Sequence, residues 1–216
     1  MHFKNKPHAI ALTSDTNVRV RAAEYLDFLA AWVRKPRQTA SVVPSSRFLA
    51  RQMVRDVDPN GARVIELGGG TGVFTREILA TGLPPEKLEV VEINPDFARR
   101  LEFRFPGVDI IRHRAETISS HVSGEAGSYQ QVISGLPLLA MNQAAQRAIL
   151  EEAFRLLAPD GIFVQFTYSV RSPVNRGLLD DLGLSAVRVG QIVRNFPPAT
   201  IFHFQRAEAL EMPLSA

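Results

Sequence analysis

Glu66-Leu67-Gly68-Gly69-Gly70-Thr71-Gly72 is the part of this sequence that says most about its fold. The stretch ends a short apolar run at 63–67 and opens onto a helical pattern at 73–80. Glycines at a strand-to-helix turn allow the backbone to bend tightly and to approach a ligand, because a Cβ there would collide with it. A buried parallel strand that ends in such a turn is typical of a nucleotide-binding α/β sheet.

The regions on both sides of the glycine turn alternate between strand-like and helix-like patterns. Strands are predicted at 63–67, 88–92, 108–112, 130–134 and 162–168, and helices at 73–80, 94–104 and 142–157. This alternation predicts a mostly parallel sheet with helices on both faces. Two further strand-like runs, 187–194 and 200–205, flank Phe196-Pro197-Pro198 and are expected to close the sheet as an antiparallel pair.

Two helices are predicted before the first strand. An apolar stripe with spacings of three and four residues runs from 18 to 33 and includes Tyr25 and Trp32, as in an amphipathic helix. A second helix is predicted to run from Ser45 or Ser46, as the N-cap, to about residue 57. We therefore expect an N-terminal helical extension at 1–60, with the amphipathic helix at about 16–35, and an α/β domain at 61–216.

Composition excludes several kinds of site and favours a cytoplasmic location. The 216 residues are 45% hydrophobic, enough for one core, and the absence of cysteine excludes disulfides, thiolate metal sites and a cysteine nucleophile. The five histidines show no metal-ligand spacing, so no metal is expected. No stretch reaches the roughly 18 apolar residues needed to cross a bilayer, and the first ten residues lack the apolar region of a secretory signal.

Positive charge is concentrated in the N-terminal segment. Residues 1–60 carry 10 Lys and Arg against 5 Asp and Glu, whereas the remainder carries 15 against 17. A basic terminal segment indicates a surface that binds phosphates, either of nucleic acid or of anionic lipid. The alternative is an ordinary solvated face.

The spacing of glycines and acids bears on the cofactor. A dinucleotide fingerprint has glycine or alanine where this chain has Val73, and Glu66 precedes the glycines. Glu92 ends the second predicted strand, where a carboxylate accepts hydrogen bonds from both hydroxyls of a ribose. The pattern resembles the first motif of class I methyltransferases, which implies a Rossmann-like sheet, S-adenosyl-L-methionine as cofactor and S-adenosyl-L-homocysteine as product. A dehydrogenase or a non-catalytic nucleotide-binding module is the alternative.

That resemblance assigns residues to each part of the cofactor. It implies that Glu66 lies near the methionine end, that Glu92 binds the ribose and that Ile93 covers the adenine. Ala115-Glu116 is expected at the adenine edge, although the preceding His113-Arg114 departs from the Asp that many relatives have in this loop. The candidate cofactor contacts are Ser45, Ser46, Glu66, Gly68, Gly70, Thr71, Gly72, Glu92, Ile93, Ala115, Glu116, Ser134 and Leu136.

The motif after the fourth predicted strand bears on the substrate. It reads Ser134-Gly135-Leu136-Pro137-Leu138-Leu139. Enzymes that methylate adenine in nucleic acids place Asn or Asp before the proline, to bind the exocyclic amine, and an aromatic residue after it, on which the flipped base stacks. Ser134 and Leu138 provide neither, which argues against an RNA adenine N6-methyltransferase, the main alternative.

Four motifs together resemble the bacterial phospholipid N-methyltransferases. They are Pro44-Ser45-Ser46-Arg47, ELGGGTGVFT at 66–75, SGLPLL at 134–139 and Asn195-Phe196-Pro197-Pro198-Ala199, within a resemblance that extends from about residue 18 to 206. That family is similar in sequence to the ribosomal RNA adenine dimethylases. The resemblance implies successive N-methylation of phosphatidylethanolamine and its mono- and dimethyl forms toward phosphatidylcholine, with a phospholipid substrate and no nucleic-acid partner.

The same resemblance implies peripheral binding to the inner face of the cell membrane through the N-terminal amphipathic helix. Trp32 supplies an apolar ring, and Arg34, Lys35 and Arg37 supply charge at the end of that helix. Each basic residue near an anionic surface contributes about 1 kcal/mol. The alternatives are that the stripe packs on the domain as a lid, or that the protein is a non-catalytic membrane-associated nucleotide sensor.

Methyl transfer to an amine requires a neutral nitrogen and a bound headgroup. Tyr25 and Tyr168 are the candidates to orient or deprotonate the amine, and Ser134 is a third catalytic candidate because of its position beside the transferred methyl. Arg171 and Arg194 are the candidates for the lipid phosphate, since arginine binds phosphate through two hydrogen bonds. The alternatives are packing roles for the tyrosines and surface salt bridges for the arginines.

Overall fold

The computed structural model describes residues 44–192 and 198–207, with side chains from residue 47 on. The described strands are β1 Arg63–Leu67, β2 Leu88–Val91, β3 Asp109–Ile111, β4 Tyr129–Ser134, β5 Leu157–Thr167, β6 Leu184–Ile192 and β7 Ala199–Arg206. The described α-helices are α1 Pro44–Met53, α2 Val73–Leu79, α3 Pro95–Arg104, α4 Gln143–Leu156 and α5 Arg176–Asp181. Short 3-10 helices span Pro85–Lys87, Ala115–Ser120 and Leu138–Ala140.

The strands form one sheet in the order β3-β2-β1-β4-β5-β7-β6. Strands β1 to β5 run parallel, and β7 runs antiparallel to both of its neighbours, β5 and β6. The predicted α/β class, with a mostly parallel sheet and a closing antiparallel pair, is confirmed. The strand order reverses between β1 and β4, and open sheets of this kind bind ligands outside the carboxyl ends of the strands at that point.

Both faces of the sheet carry a hydrophobic core. Successive side chains of a strand point to opposite faces, and Val64 and Ile65 of β1 belong to two different buried clusters. Phe163 and Val164 of β5 divide between the same two clusters. Burial on both faces explains why these strands read as continuous apolar runs instead of alternating patterns.

Helix α1 packs on the cluster that contains Val64. Its Leu49 and Met53 are buried there, although they belong to the segment 1–60 of the predicted domain division. The predicted serine N-cap is wrong, because the helix begins at Pro44 and both serines lie in its first turn. Proline favours this first position, since its φ is already helical and its missing N–H has no partner to lose. The helix also ends at Met53, before the predicted end at about residue 57.

Other element bounds differ from the predicted ones in the C-terminal half. β5 begins at Leu157, directly after α4, and β6 begins at Leu184. Helix α5 was not predicted, although Asn175 caps it by accepting a hydrogen bond from the Leu178 N–H at 2.8 Å. Six residues are too few to show a helical repeat of apolar side chains. Within the described part of the chain, no helix has the length and apolar character required to cross a bilayer.

Glu89 anchors the amino-terminal end of the sheet. The Tyr129 hydroxyl, the Ser123 hydroxyl and the Ser123 N–H, the last at 2.9 Å, all donate hydrogen bonds to its buried carboxyl group. The Arg63 guanidinium lies 3.5 Å from the same group. Burial first, and then the bond to Glu89, raises the pKa of the Tyr129 hydroxyl. This network lies at the edge opposite to the strand ends that predict the ligand site, so we regard it as structural.

Candidate cofactor and substrate site

The carboxyl ends of the parallel strands gather most of the predicted site residues. Because β1 to β5 run parallel, their carboxyl ends and the loops that follow lie along one edge of the sheet. This edge carries Glu66 from β1, Glu92 after β2, Ala115 and Glu116 after β3, Ser134 from β4 and Tyr168 after β5.

The glycine loop, residues 68–72 after β1, is hydrogen-bonded to the neighbouring strand β2. The Gly68 and Gly69 N–H groups donate hydrogen bonds to the Val91 carbonyl at 2.8 and 3.2 Å. Gly68, Gly70 and Gly72 have φ angles of 82°, 50° and 77°, in the left-handed region that favours glycine. The loop is therefore held in a conformation that other residue types adopt with strain.

The glycines of the loop have different roles. A Cβ on Gly69 would lie 2.4 Å from a methyl carbon of Val90, and one on Gly72 would lie 2.5 Å from the Phe105 ring. These two glycines are thus required for packing inside the protein. Among the described residues, a Cβ on Gly70 would meet only the Gly68 carbonyl, at 4.0 Å. Gly70 therefore leaves open space beside the loop, as a ligand cradle requires.

Glu92 connects the glycine loop to the end of β2. One carboxylate oxygen accepts a hydrogen bond from the Gly70 N–H at 2.8 Å, and the other accepts one from the Asn94 N–H at 2.7 Å. A carboxylate has about four lone-pair positions, so the described residues leave two for a ligand. The position fits the predicted contact with two ribose hydroxyls.

Glu66 is completely buried at the end of β1. The Thr75 hydroxyl donates a hydrogen bond to its Oε2 at 2.6 Å, whereas Oε1 has no hydrogen-bond partner among the described residues. Burial, opposed by the Thr75 bond and reinforced by the charge of Glu92, raises the pKa of Glu66 to about 8. The free protein therefore holds this group mostly protonated at neutral pH. An unpartnered buried carboxyl oxygen suits the ammonium group of the predicted cofactor.

The predicted adenine side combines an apolar surface with an ion pair. Ile93 is 61% exposed, whereas Ala115 is buried at the start of its 3-10 helix. Glu116 accepts a hydrogen bond from the Arg114 guanidinium at 2.6 Å. Any contact between Glu116 and adenine must therefore compete with Arg114, and the assignment of Glu116 stays a prediction.

The loop after β4 touches the glycine loop. The Gly135 N–H donates a hydrogen bond to the Leu67 carbonyl at 2.8 Å, and a Cβ on Gly68 would lie 3.0 Å from the Leu136 side chain. The Ser134 hydroxyl is buried and accepts a bond from the Leu136 N–H at 3.3 Å. Leu138, at the position of the stacking aromatic residue in adenine methyltransferases, is buried in the core and forms no platform.

Gln165 of β5 is a buried polar residue at this edge that we did not predict. Its amide nitrogen donates hydrogen bonds to the carbonyls of Leu136 and Phe166 at 3.0 and 2.8 Å. Its amide oxygen has no partner among the described residues, and the residue is only 1% exposed. A single polar residue inside the apolar run 162–166 was the available signal.

Tyr168 and Arg171 follow β5 at the same edge. The Tyr168 ring meets the Phe166 ring edge to face, with centroids 5.5 Å apart, and Phe166 meets Phe74 of α2 in the same way at 5.9 Å. Tyr168 is half-buried and so packs as an aromatic residue, whatever further role it has. Arg171 is exposed in the loop.

Several predicted residues lie outside what the structure describes. These are Tyr25, Trp32, Arg34, Lys35, Arg37 and Arg194, together with the side chains of Ser45 and Ser46. Their roles stay predictions. Among the described residues, no group of three or more His, Asp or Glu side chains is placed to hold a metal ion.

Comparison with known proteins identifies relatives of this chain. The model of a family described as a methyltransferase domain matches residues 64–161. An ornithine lipid N-methyltransferase from Singulisphaera acidiphila is 33% identical over 150 residues, which cover 67% of this chain and 78% of the relative. The region matched by the family model includes the glycine loop and the loop after β4.

Solved structures share the fold. A 1,6-didemethyltoxoflavin-N1-methyltransferase from Burkholderia thailandensis, solved with S-adenosylhomocysteine, superposes with a TM-score of 0.60 at 16% identity, over 93% of this chain and 94% of its own. A magnesium protoporphyrin IX methyltransferase from Synechocystis, solved with S-adenosylmethionine, has a TM-score of 0.55 at 16% identity, over 74% of this chain and 77% of its own. At these identities the similarity shows the fold alone.

Proposed function

This chain belongs to the family of S-adenosylmethionine-dependent methyltransferases that includes the ornithine lipid N-methyltransferase, and from that premise we propose that it methylates the amino group of a lipid headgroup at a membrane surface. The substrate that we propose is phosphatidylethanolamine, with its mono- and dimethyl forms, toward phosphatidylcholine. The 33% identity to an enzyme whose name states a lipid as its methyl acceptor is the observation that carries the proposal of a lipid substrate. The choice of phosphatidylethanolamine rests on the four sequence motifs that resemble the phospholipid N-methyltransferases.

The described residues fit the cofactor. Glu66 offers an unpartnered buried oxygen to an ammonium group, Gly70 leaves space beside the loop, and Glu92 keeps two free acceptor positions for hydroxyls. Ile93 provides an exposed apolar surface for a base. When bound, S-adenosylmethionine supplies an electrophilic methyl group on a sulfonium.

The chain has to present a neutral amine in line with that methyl group. The amine would need a free lone pair directed at that methyl group, so the protein would have to accept one proton from the nitrogen in each round of methylation. Tyr168, and Tyr25 from the N-terminal segment, are the proposed groups that orient the amine or accept its proton. The buried Ser134 and the apolar Leu136 restrict the directions from which the amine can approach the methyl group. We therefore expect the alignment of the amine with the methyl group to contribute a large part of the rate.

A basic surface on α1 and α2 supports an anionic partner. Arg47, Arg51 and Arg76 lie 3.8, 3.1 and 3.9 Å from the Glu77 carboxylate, so one negative charge faces three positive ones. The excess positive charge suits the phosphates of a lipid surface. Arg171 and Arg194 are the proposed contacts of the substrate phosphate itself.

A transfer assay tests the proposed substrate. With radiolabelled S-adenosylmethionine, we expect label in anionic vesicles that contain phosphatidylethanolamine and none in vesicles of phosphatidylglycerol alone. Vesicles with ornithine lipid form a second arm, because the similarity to the ornithine lipid enzyme favours that amine as the second candidate. Label only in ornithine lipid would replace our substrate by that candidate. A further arm contains total RNA in place of vesicles. Label only in RNA would replace the function by adenine methylation, and label in no arm would favour a nucleotide sensor.

A sedimentation experiment tests membrane binding through the N-terminal segment. Replacement of Arg34, Lys35 and Arg37 by Glu is expected to weaken binding to anionic vesicles about 100-fold or more, because each basic residue contributes about 1 kcal/mol. The matched control replaces Arg99, Arg100 and Arg176, which are exposed elsewhere, by Glu. Titration with S-adenosylhomocysteine should be unchanged in both variants. Equal sedimentation of the two variants would remove the segment 34–37 from the binding surface.

A further inference from the structure

Gln165 carries an acceptor that nothing in the described protein uses. We propose that its Oε1 accepts a hydrogen bond from an N–H of the substrate amine, an inference that rests on the proposed N-methylation. The residue is then a specificity determinant for amines that still carry hydrogen. Neither the comparisons nor the motifs of the sequence assign it a role.

The orientation of the Gln165 amide is fixed by its neighbours. Its nitrogen donates to two carbonyl oxygens, those of Leu136 and Phe166. If the amide were turned round, its oxygen would face both carbonyls and lose both bonds. Oε1 is therefore directed away from them and has no donor among the described residues. Buried acceptors are rarely left without a donor, and this one lies at the carboxyl edge of the sheet, where ligands bind, so a ligand that supplies an N–H is the simplest completion of this site.

The position of Gln165 places it beside the proposed reaction centre. Its register partner on β4 is Ser134, so the two side chains lie next to each other on one face at the carboxyl edge. Its amide holds the carbonyl of Leu136, and the Leu136 side chain touches Gly68 of the cofactor loop. On the other side its register partner is Phe202 of β7. One hydrogen bond and one side-chain contact thus separate the amide from the cradle of the methyl donor.

A neutral acceptor suits the chemistry of the amine. When an amine donates an N–H to Oε1, its lone pair remains free to attack the methyl group, whereas a donor from the protein would occupy that lone pair. An amide oxygen also carries no charge, so it favours the ammonium form less than a carboxylate would. Neutral primary and secondary amines have an N–H, but a neutral dimethylated amine has none. Gln165 should therefore assist the first two methylations and not the third.

The test compares two substrates in the same variant. Values of kcat/KM are measured with phosphatidylethanolamine and with its N,N-dimethyl form in mixed micelles. For Gln165→Met we expect the ratio of the first value to the second to fall about tenfold, the effect of leaving one N–H unpaired. For Gln165→Glu we expect the ratio to stay within about twofold. Burial at this position favours the protonated carboxyl group, which keeps both a donor to Leu136 and an acceptor.

Gln131 provides the matched control. It is a buried glutamine of β4 whose nitrogen donates to the Asp56 carbonyl and whose oxygen also lacks a partner, but it lies toward the amino-terminal end of the sheet. Gln131→Met is expected to leave the ratio unchanged, and titration with S-adenosylhomocysteine should give the same affinity in all variants. A Gln165→Met enzyme that loses activity equally on both lipids would overturn the inference, as would a tenfold fall of the ratio in Gln165→Glu.

The failure of the inference is distinguishable from failure of the proposed function. If the wild-type protein methylates neither lipid, the substrate proposal fails before any variant is compared. If it methylates both lipids and Gln165→Met leaves the ratio of the two kcat/KM values unchanged, the inference about Gln165 alone is wrong.

Discussion

Gly70→Asn is expected to lower the affinity for S-adenosylhomocysteine at least 100-fold while the protein stays folded. Asparagine tolerates the left-handed conformation of Gly70 better than other side chains do, so we expect the free energy of unfolding to fall by only about 1 kcal/mol. Its side chain would enter the space beside the loop, where the Gly68 carbonyl, at 4.0 Å, is the only atom of the described part of the chain that a Cβ meets. Calorimetric titration gives the affinity, and urea unfolding gives the stability.

Gly183 provides the control for backbone strain. Its φ is 64° and no atom of the described residues lies within 4 Å of an added Cβ. Gly183→Asn therefore carries comparable strain directly before β6, which lies four strands from β1 in the sheet. We expect it to match Gly70→Asn in stability and the wild type in affinity. Normal binding by Gly70→Asn would mean that the cofactor does not pass over this glycine.

Glu66→Gln is expected to change both the pH dependence of stability and the protons exchanged on binding. The pKa of Glu66 is about 8 in the folded protein, against 4.5 as its ordinary value. The folded state therefore holds a proton that the unfolded state has lost between these pH values, and the free energy of unfolding falls as pH rises from about 4.5 to about 8. The slope reaches about 1.4 kcal/mol per pH unit for one group. Glu66→Gln should remove that slope.

Cofactor binding should reverse this protonation. An ammonium beside Glu66 favours the charged carboxylate, so the wild-type protein is expected to release nearly one proton on binding S-adenosylhomocysteine at pH 7. Glu66→Gln should release none and should bind about tenfold or more weakly, since a charge-assisted hydrogen bond is lost. Calorimetry in buffers of different ionisation enthalpy counts the protons. The exposed Glu86→Gln should behave as the wild type, and unchanged proton release in Glu66→Gln would assign the proton to another group.

The fold was predictable because its main signals are local. The strand-to-helix glycine turn and the alternation of apolar runs are properties of neighbouring residues, and they gave the parallel sheet and the edge that carries Glu66 and Glu92. Helix α5 escaped prediction because six residues give no periodicity. The start of α1 was misplaced because two serines resemble caps, whereas the proline before them is the first helical residue.

The chemistry of the site was less predictable, because it depends on contacts between distant strands. Glu66 was predicted to lie near the methionine end of the cofactor, but its burial by neighbouring elements also gives it a raised pKa and a proton in the free protein. The open acceptor of Gln165 exists because its amide nitrogen is bound by two carbonyl oxygens, that of Leu136 in the loop after β4 and that of Phe166 in β5. Neither property follows from residue type or spacing.

Glu89 has a consequence for attempts to retarget this enzyme. Both oxygens of its carboxyl group already accept hydrogen bonds from Ser123 and Tyr129. Glu66, on the neighbouring strand, has one oxygen without a donor among the described residues. The amino-terminal edge of the sheet therefore has no unpartnered acceptor left for a ligand at Glu89, whereas the carboxyl edge has one at Glu66. To change the methyl acceptor, loops can therefore be exchanged at the carboxyl edge alone. The residues around Glu89 should be left unchanged in every variant, because they stabilise the sheet.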